Sequence, residues 1–558
     1  MTNIIHKDKD GYYRPSTEDE IVNLVKYAYE NGLQVRCRGA AHSVAHSIYS
    51  DPNTEPNKVN VEKPPEGPNI NIMLDQFRKL DWIDKEKGLI EVEAGLNLGL
   101  DPRDPSGVST LENSLLYQTF KEGWTLEDLG GITHQTVSGF QSTGSAGGTT
   151  MYTLEDNLIA FRVIDGMGNV EWVEKGSELY NAFGVSMGLL GIITKVRIQL
   201  TPNFYIYGQQ ITTRTSLEKC PIDLFGDGRD GKPSYEEYLR NTPYTRMLWW
   251  PQKGVDRVVI WEAVRGKTLP AFFPAPYKEF ANTFAATQVE QLGASILFTT
   301  LGNKGFIRTW SKLQLSFKAF YENLKKFWSK KLGSFIAVIL SAFFVALFYI
   351  IALPLVLFFS IFKFVLWILY APIVSMLQPI SKKGKAQLFM DYMWRSLPMD
   401  NEAGDILMGT EFTEIWIPLE YSKKVMNLLD NLFKEKGRAA TGTYSTEIYA
   451  GISSDYWMSP AYKTDVIRVD VFWYSSNEGD PSLKGEYYEQ FWELFVDNDV
   501  PFRLHWGKYL PNYDYTRWAE YLRSQTPKWD DFMALRAQRD PKNVFYTSYW
   551  KKHLTGVE

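Results

Sequence analysis

Cysteine is nearly missing from this chain: Cys37 and Cys220 are the two among 558 residues. So few thiols exclude a disulfide framework and a cysteine-built metal centre. Histidine is also sparse, at six. Of these, His42 and His46 share an i, i+4 spacing but lack the glutamate of an HExxH motif, so no metal is expected. Positive charge is not in excess either. Lys and Arg number 60 against 65 Asp and Glu, a formal net charge of −5, which leaves no basic field for a nucleic acid. The first residues, MTNIIHKDKDGYYRP, lack the apolar core of a secretory signal. Folding in a reducing compartment is the reading that follows. No internal repeat is found.

What the chain does have is aromatic surface: 18 Trp, 32 Tyr and 33 Phe. That implies a large packed interior, a membrane contact, or both. With 44% apolar and 22% charged residues the composition is globular, and the length exceeds one average domain. Residues 16–33 read as a helix, capped by Ser16 or Thr17, with acids in its first turn and Ile21, Val22, Val25 and Ala28 on one face. Gly32 closes it, and Gln34–Cys37 reads as a strand entering Arg38-Gly39-Ala40-Ala41-His42-Ser43. Another strand and loop cover Gly88–Leu98. Residues 124–150 carry six glycines. Residues 160–201 alternate apolar and polar positions around a hairpin turn at Gly166–Asn169.

Beyond residue 206 come strands and amphipathic helices, interrupted at 266–400 by a segment that reads as an insertion. Leu332 to Ile380 holds one charged residue, Lys363, and Pro354 breaks the run. Just before it, Phe306, Trp310, Leu313, Phe317, Phe320, Leu324 and Phe327 recur at helical spacing. Arg308, Lys312, Lys318, Lys325, Lys326, Lys330 and Lys331 accompany them against one acid, Glu322.

A glycine-rich loop after a strand lets backbone N–H groups approach a diphosphate, because no Cβ intervenes. Gly144-Ser145-Ala146-Gly147-Gly148 alone is a weak sign of this; the order of the surrounding pieces is stronger. Pro15-Ser16-Thr17-Glu18, Val35 through Ser43, Leu129-Gly130-Gly131-Ile132 through Thr143-Gly144, and Ser186 through Thr194 follow one another. Together they resemble the FAD-binding domain of the vanillyl-alcohol oxidase / p-cresol methylhydroxylase (PCMH) superfamily over about the first 205 residues. Phe502 through Lys508 and Arg539 through Phe545 resemble the end of its sugar-1,4-lactone oxidase branch, which includes gulonolactone, galactonolactone and arabinonolactone oxidases, with alditol oxidases close by. Glu414 through Pro418 and Thr446 through Tyr449 fall where that branch keeps its cap-domain motifs.

The resemblance implies an α+β fold in three parts. A two-subdomain PCMH-type FAD-binding domain would cover 1–205. An antiparallel-sheet cap domain would cover 206–500, with a helical apolar insertion at about 305–385. A segment returning to the flavin would cover 501–558. FAD contacts are implied for Arg38, Gly39, Ala40, Ala41, His42, Ser43, Gly131, Ser138, Thr143, Gly144, Ser145, Gly191 and Ile193. His42 corresponds to the histidine that many relatives join to the flavin 8α-methyl group, within a G-x-G-H-S loop. Here Ala41 replaces the glycine before it, and its methyl group would crowd the backbone approach. Lys508 would face the flavin edge that gathers negative charge on reduction, with His505 beside it. Glu447 and Tyr449 share one face of a strand; relatives often carry arginine at the Tyr449 position, and tyrosine offers a hydrogen bond without charge.

The apolar run far exceeds the ~20 residues that span a bilayer. Cap-domain residues flank it on both sides, so crossings must be even in number or absent. A lysine in the middle of a second span costs about 2.5–3.5 kcal/mol, which favours a re-entrant or monotopic anchor. Lysines at both ends (Lys330, Lys331; Lys382, Lys383, Lys385) put the catalytic domains on the cytoplasmic side, with the basic helix among headgroups. The expected function is a membrane-associated FAD oxidoreductase acting on a C–H bond next to oxygen in an aldonolactone, polyol or sugar. Its partners are that small molecule, oxygen or an electron carrier, and the lipid surface. Two rivals stand beside it: a flavoenzyme of a lipid or sterol alcohol, and a membrane scaffold with a degenerate flavin fold.

Overall fold

The computed structural model describes residues 5–53, 57–266, 276–277, 284–382, 386–397, 409–474 and 481–557. α1 (Glu18–Asn31) opens with a capping box. The Glu20 N–H donates to Thr17 Oγ1 at 3.3 Å, and the Thr17 N–H donates to the Glu20 carboxylate at 3.2 Å, so both ends of the box are satisfied. Gly32 ends the helix at φ 65°, a conformation that costs a Cβ-bearing residue more. The buried face is Ile21, Leu24, Val25 and Ala28. Leu24 stands where Val22 was expected, because i, i+3, i+4, i+7 spacing centres the stripe there.

β1 (Val35–Arg38) pairs in parallel with β2 (Ile70–Met73). β3 (Leu80–Asp84), β4 (Leu89–Glu93), β5 (Leu158–Ile164), β6 (Val170–Glu174) and β7 (Ile192–Gln199) form a second sheet, in the order β3-β4-β7-β5-β6. The Asp165 carboxylate accepts from the Met167 and Asn169 N–H groups at 2.9 and 2.8 Å, closing the β5–β6 turn.

The cap is an eight-stranded antiparallel sheet. Its strands in chain order are β8 (Tyr205–Thr213), β9 (Tyr244–Trp250), β10 (Arg257–Gly266), β11 (Gln387–Tyr392), β12 (Thr410–Pro418), β13 (Thr446–Gly451), β14 (Val466–Tyr474) and β15 (Arg503–Leu504). Their spatial order is β11-β8-β10-β9-β13-β14-β12-β15. Side chains alternate between its faces. Met247, Trp249, Ile415, Ile448 and Val469 enter the main hydrophobic core. There the Trp249 ring meets Phe433 of the helix Ser422–Lys436 edge-on at 5.1 Å. The residues between them, Arg246, Leu248, Glu414, Glu447, Tyr449, Arg468 and Asp470, point to the other face. The C-terminal stretch returns to the first domain: Val35 N–H donates to Val544 O at 2.7 Å and Trp550 Nε1 to Ser47 O at 3.0 Å.

Between β10 and β11 the chain leaves the sheet. The insertion therefore ends before Gln387, not near residue 400, because β11 pairs with β8 (Tyr205 opposite Tyr392). It carries α2 (Phe284–Gly302), α3 (Phe306–Leu332), α4 (Ser334–Ile361) and α5 (Lys363–Leu377). α2 and α5 pack on the sheet through Ala294, Phe298, Leu366, Tyr370 and Val374 against Trp250 and Tyr474. α4 folds back along α3, burying Ala352 and Val356 against Leu313, Phe317, Phe320 and Leu324. Each such aliphatic or aromatic side chain contributes on the order of 1.5–3 kcal/mol. Pro354 does not break α4 as expected. Its missing hydrogen bond falls on an exposed flank, while Tyr349 and Val356 on either side hold the helix to α3. The break comes at Phe362, and Lys363 Nζ then donates to Leu301 O at 2.9 Å. The flanking Lys383 and Lys385 lie outside the described residues.

Candidate active site

The loop 39–43 leaves β1 with Ala41 at φ 60°. This is the position of the replaced glycine, and its cost is conformational: a left-handed alanine is about 1–2 kcal/mol less favourable than a right-handed one. The turn at 505–508 holds the loop from the far end of the chain. Val44 N–H donates to Gly507 O at 2.9 Å, and Lys508 Nζ donates to His42 O at 3.5 Å. The His42 ring lies 5.3 Å from that of His134.

Two cavities meet at this turn. The first encloses about 1060 Å³, partly open to solvent, and is lined by Arg38, Gly39, Ala40, Ala41, His42, Ser43, Ser138, Thr143, Ser145, Gly191 and Ile193. At φ 149° with Ile164 O only 2.5 Å from a Cβ built on it, Gly191 has no room for a side chain. Gly131 lines the second cavity instead. Gly144 lines neither; at φ 80° beside Pro460 it shapes the turn that carries Ser145. Sequence reasoning missed Arg36, Gly95, Thr136 and Trp550, which also line the first cavity. Gly95 could have been found by its setting: a Cβ there would fall 1.8 Å from Leu74 O.

This first cavity suits a dinucleotide diphosphate. Arg36 and Arg38 are both buried. Arg36 donates to the carbonyls of Ser47 (2.6 Å), Met187 (2.8 Å), Phe545 (3.1 Å) and Gly188 (3.4 Å). Arg38 donates to Gly39 O (2.7 Å) and the Tyr12 hydroxyl (3.1 Å). Among the described residues neither forms an ion pair, so two buried cations border the cavity with neutral acceptors only. A bound anion is the partner such charges call for.

The second cavity, about 1410 Å³, lies over the free face of the cap sheet. It shares Gln135, Ser145, His505 and Lys508 with the first. Burial brings the His505 ring down to about 4, so it is neutral near pH 7. Gly507 N–H donates to its Nδ1 at 3.1 Å, which assigns the proton to Nε2, 3.3 Å from Ser145 Oγ. The Lys508 ammonium sits 4.2 Å over the Phe412 ring.

Cross-strand register builds the rest. Glu447, Asp470 and Glu414 stand opposite one another on β13, β14 and β12. Tyr449, Arg468 and Trp416 form the next row. Three adjacent carboxylates cannot all ionise cheaply. Arg246 pairs with Glu447, and Arg468 Nε donates to Glu414 at 2.8 Å. Burial alone would raise Glu414, but the Arg468 charge, with His505 and Lys508, outweighs it and holds the carboxyl below its usual range. Asp470 between them is pushed well up, by burial first and then by Glu414 and Glu447, so it keeps its proton. Tyr449 donates to Asp470 Oδ2 at 2.9 Å and accepts from Arg468 Nη2 at 2.9 Å. Glu447 and Tyr449 thus line the second cavity, as does His505. Glu414, Arg468, Asp470 and Arg246 were missed as site residues, because rows across strands exist only in the register.

Residues 10–100 match the family described as FAD binding domain, and residues 405–553 match D-arabinono-1,4-lactone oxidase. The chain is a flavoprotein, with an FAD-binding domain and an antiparallel-sheet cap. It is 25% identical to the D-arabinono-1,4-lactone oxidase of Kluyveromyces lactis over 287 residues, 50% of this chain and 46% of that one. The flavoprotein therefore spans about half the length of the curated relatives of that name. It is 21% identical to the L-gulono-1,4-lactone dehydrogenase of Mycobacterium tuberculosis over 549 residues, 97% of this chain and 95% of that one. A solved variant of cholesterol oxidase from Brevibacterium sterolicum superposes with TM-score 0.62 at 14% identity, covering 97% of this chain and 93% of the other; that likeness concerns the fold.

The electrostatics of the flavoprotein's sheet face give a paired prediction. Glu414→Gln leaves the Arg468 charge buried without its counter-ion and is expected to cost about 3–5 kcal/mol in urea unfolding. Asp470→Asn keeps a neutral group in place and should cost far less. The folded state holds a proton on Asp470 that the unfolded chain releases above about pH 4, so the unfolded state binds fewer protons and stability falls as pH rises, by up to about 1.4 kcal/mol per unit. Asp470→Asn removes that slope. Equal pH slopes in the two proteins between pH 5 and 7 would mean Asp470 is ionised in the fold.

Proposed function

We propose that this flavoprotein is an oxidoreductase that removes hydride from a carbon bearing oxygen in an aldonolactone, polyol or sugar. The observation that carries it is the meeting of two cavities at Gln135, Ser145, His505 and Lys508. One has unpaired buried cations suited to a diphosphate; the other has a wall of alternating carboxylates, guanidiniums and hydroxyls suited to a polyhydroxylated molecule. FAD supplies a hydride acceptor when bound in the first. Lys508 brings a fixed positive charge to the place where negative charge collects, and the His505 Nε2–H donates a hydrogen bond there. Arg246 and the protonated Asp470 orient hydroxyls, and Arg468 holds the wall that carries them. Glu447, paired with Arg246, takes or steers the hydroxyl proton. The electrons leave to oxygen or to a carrier.

Replacing Lys508 by Met keeps much of the stem and removes the charge. Anaerobic flavin reduction by a reactive aldonolactone or alditol is expected to slow by about 10²–10³, with a lower flavin potential and little change in substrate binding. Reduction at the wild-type rate would put the chemistry elsewhere.

We further propose that His42 is joined covalently to the flavin. Its loop is held by Val44 and Lys508, so its ring has a fixed place on the cavity wall. Acid-precipitated wild-type protein should stay yellow, and His42→Ala should release its flavin to the supernatant. A wild-type pellet without flavin refutes the linkage while leaving FAD binding intact.

The insertion is read as a monotopic membrane anchor. α4 is long and apolar enough to span, with 28 residues and an 18-residue stretch at mean hydropathy 2.8. Phe335, Ile350 and Ile361 on it are 79%, 71% and 65% exposed. Yet α4 is packed along α3, whose Arg308, Lys318 and Lys326 are exposed. Crossing would carry those charges into hydrocarbon at about 2.5–3.5 kcal/mol each. Lying in the interface keeps them among headgroups of an anionic, cytoplasm-facing leaflet. Lys363 bonds to Leu301, so the ends of an excision from 304 to 361 are close in space. Joining them with a short Gly/Ser linker keeps α2 and α5 on the sheet and should give a detergent-free soluble flavoprotein. The full chain should sediment with membranes and resist high salt, since apolar burial is not screened; full-length protein recovered as a soluble monomer would overturn the anchor.

A further inference from the structure

The free face of the cap sheet continues past the second cavity. Thr212, Val259, Leu248, Glu447, Asp470 and Glu414 stand in one row across six neighbouring strands. The half of the row with acids is roofed by the loops 129–148 and by the 505–508 turn. The other half, where the row turns aliphatic, is roofed by α2 and α5. A third cavity of about 710 Å³, partly open to solvent, lies there, lined by Leu248, Trp250, Ala294, Phe298, Val374 and Leu377, with Gln210, Glu290, Gln291 and Gln378 also on its wall. It shares Arg246, Leu248 and Tyr444 with the second cavity. The two are therefore successive compartments on one floor, polar next to the flavin side and mostly apolar beneath the insertion.

We propose that the substrate is an amphiphile, with its hydroxylated head in the polar compartment and an aliphatic or isoprenoid tail beneath α2 and α5. This rests on the oxidoreductase reading above and narrows its substrate class. A small free lactone would fill the first compartment and leave the second unused. Three features set the second compartment apart from ordinary packing. It lies on the catalytic face rather than in the opposite core, it adjoins the head compartment along a shared wall, and its roof belongs to the insertion. The roof helix α5 also turns Phe364, Ile368 and Met376 outward, at 64%, 68% and 79% exposure. One helix therefore separates the tail compartment from an exposed apolar surface. A tail drawn from lipid would move between two apolar surroundings without crossing water, while Arg246 and Glu447 at the junction hold the first hydroxyls.

The test uses the full-length holoprotein and N-alkyl aldonamides, which carry a polyhydroxylated head on a methyl, butyl, hexyl or octyl tail, below their micellar concentrations. Binding is read from the perturbation of the flavin absorbance. Each added methylene should tighten binding about fourfold, the equivalent of ~0.8 kcal/mol, until the compartment is full. Ala294→Phe fills that compartment from α2. It should abolish the gain with tail length and leave the response to the methyl compound unchanged, which also reports a folded, flavin-loaded site. Affinity independent of tail length in the wild type overturns the proposal, while a sound methyl response preserves the oxidoreductase reading. A gain with length that survives Ala294→Phe places the tail elsewhere and overturns it too. No response to any compound, methyl included, brings down the polyhydroxylated-substrate reading and this proposal with it.

Discussion

The Arg468 guanidinium is the contact on which the site depends. It is buried on β14 and satisfied from both domains: Glu414 and Tyr449 on the cap sheet, and the carbonyls of Ala146 and Gly147 at 2.9 and 3.0 Å on the glycine-rich loop of the first domain. Its plane also stacks between Trp416 and Tyr449, at 4.2 and 4.1 Å. A lysine could not make these contacts together, because they need five donors in a flat fork. The cost of burying the charge is met only while every partner is in place. Loop, sheet and acid row are therefore fixed relative to one another, and the two cavities are made to meet.

The same residue explains an apparent loss in the sequence. Tyr449 stands where the resemblance implies an arginine, which reads as a missing positive charge on that face. In the fold, Arg468 lies directly opposite Tyr449 and Arg246 pairs with Glu447. Two guanidiniums reach that face from neighbouring strands. The extra cations in turn leave room for three carboxylates in one row, with the middle one, Asp470, neutral.

What was legible in the chain follows from whether the signal is local. The Thr17–Glu20 cap and Gly32 stop lie within one turn of the helix they define, so α1 could be read nearly to its ends. The 39–43 loop and the 505–508 turn were recognisable as separate motifs, and both line the first cavity. Pairings such as Glu447 with Asp470 are set by strand register, which no spacing in the sequence encodes. Pro354 misled for the complementary reason: a proline's local penalty was offset by the packing of α4 on α3, which is a tertiary effect.

Lys363 shows how far tertiary context can change the meaning of a charge in an apolar run. Counted along the chain, it is a charge stranded in the middle of an apolar run, and its cost spoke against a second span. In the fold it stands at the break between α4 and α5 with its ammonium on the Leu301 carbonyl, the last turn of a helix whose C-terminal dipole favours a cation. The charge is spent on tying the insertion back to the sheet. α5, anchored in this way and only 15 residues long, is too short to span and instead lies against Trp250. The same lysine that argued against a transmembrane hairpin thus fixes the helix that covers the third cavity on the sheet. Tying the insertion to the sheet and shaping the third cavity are then properties of one element, and a change in how α5 sits would be felt at both.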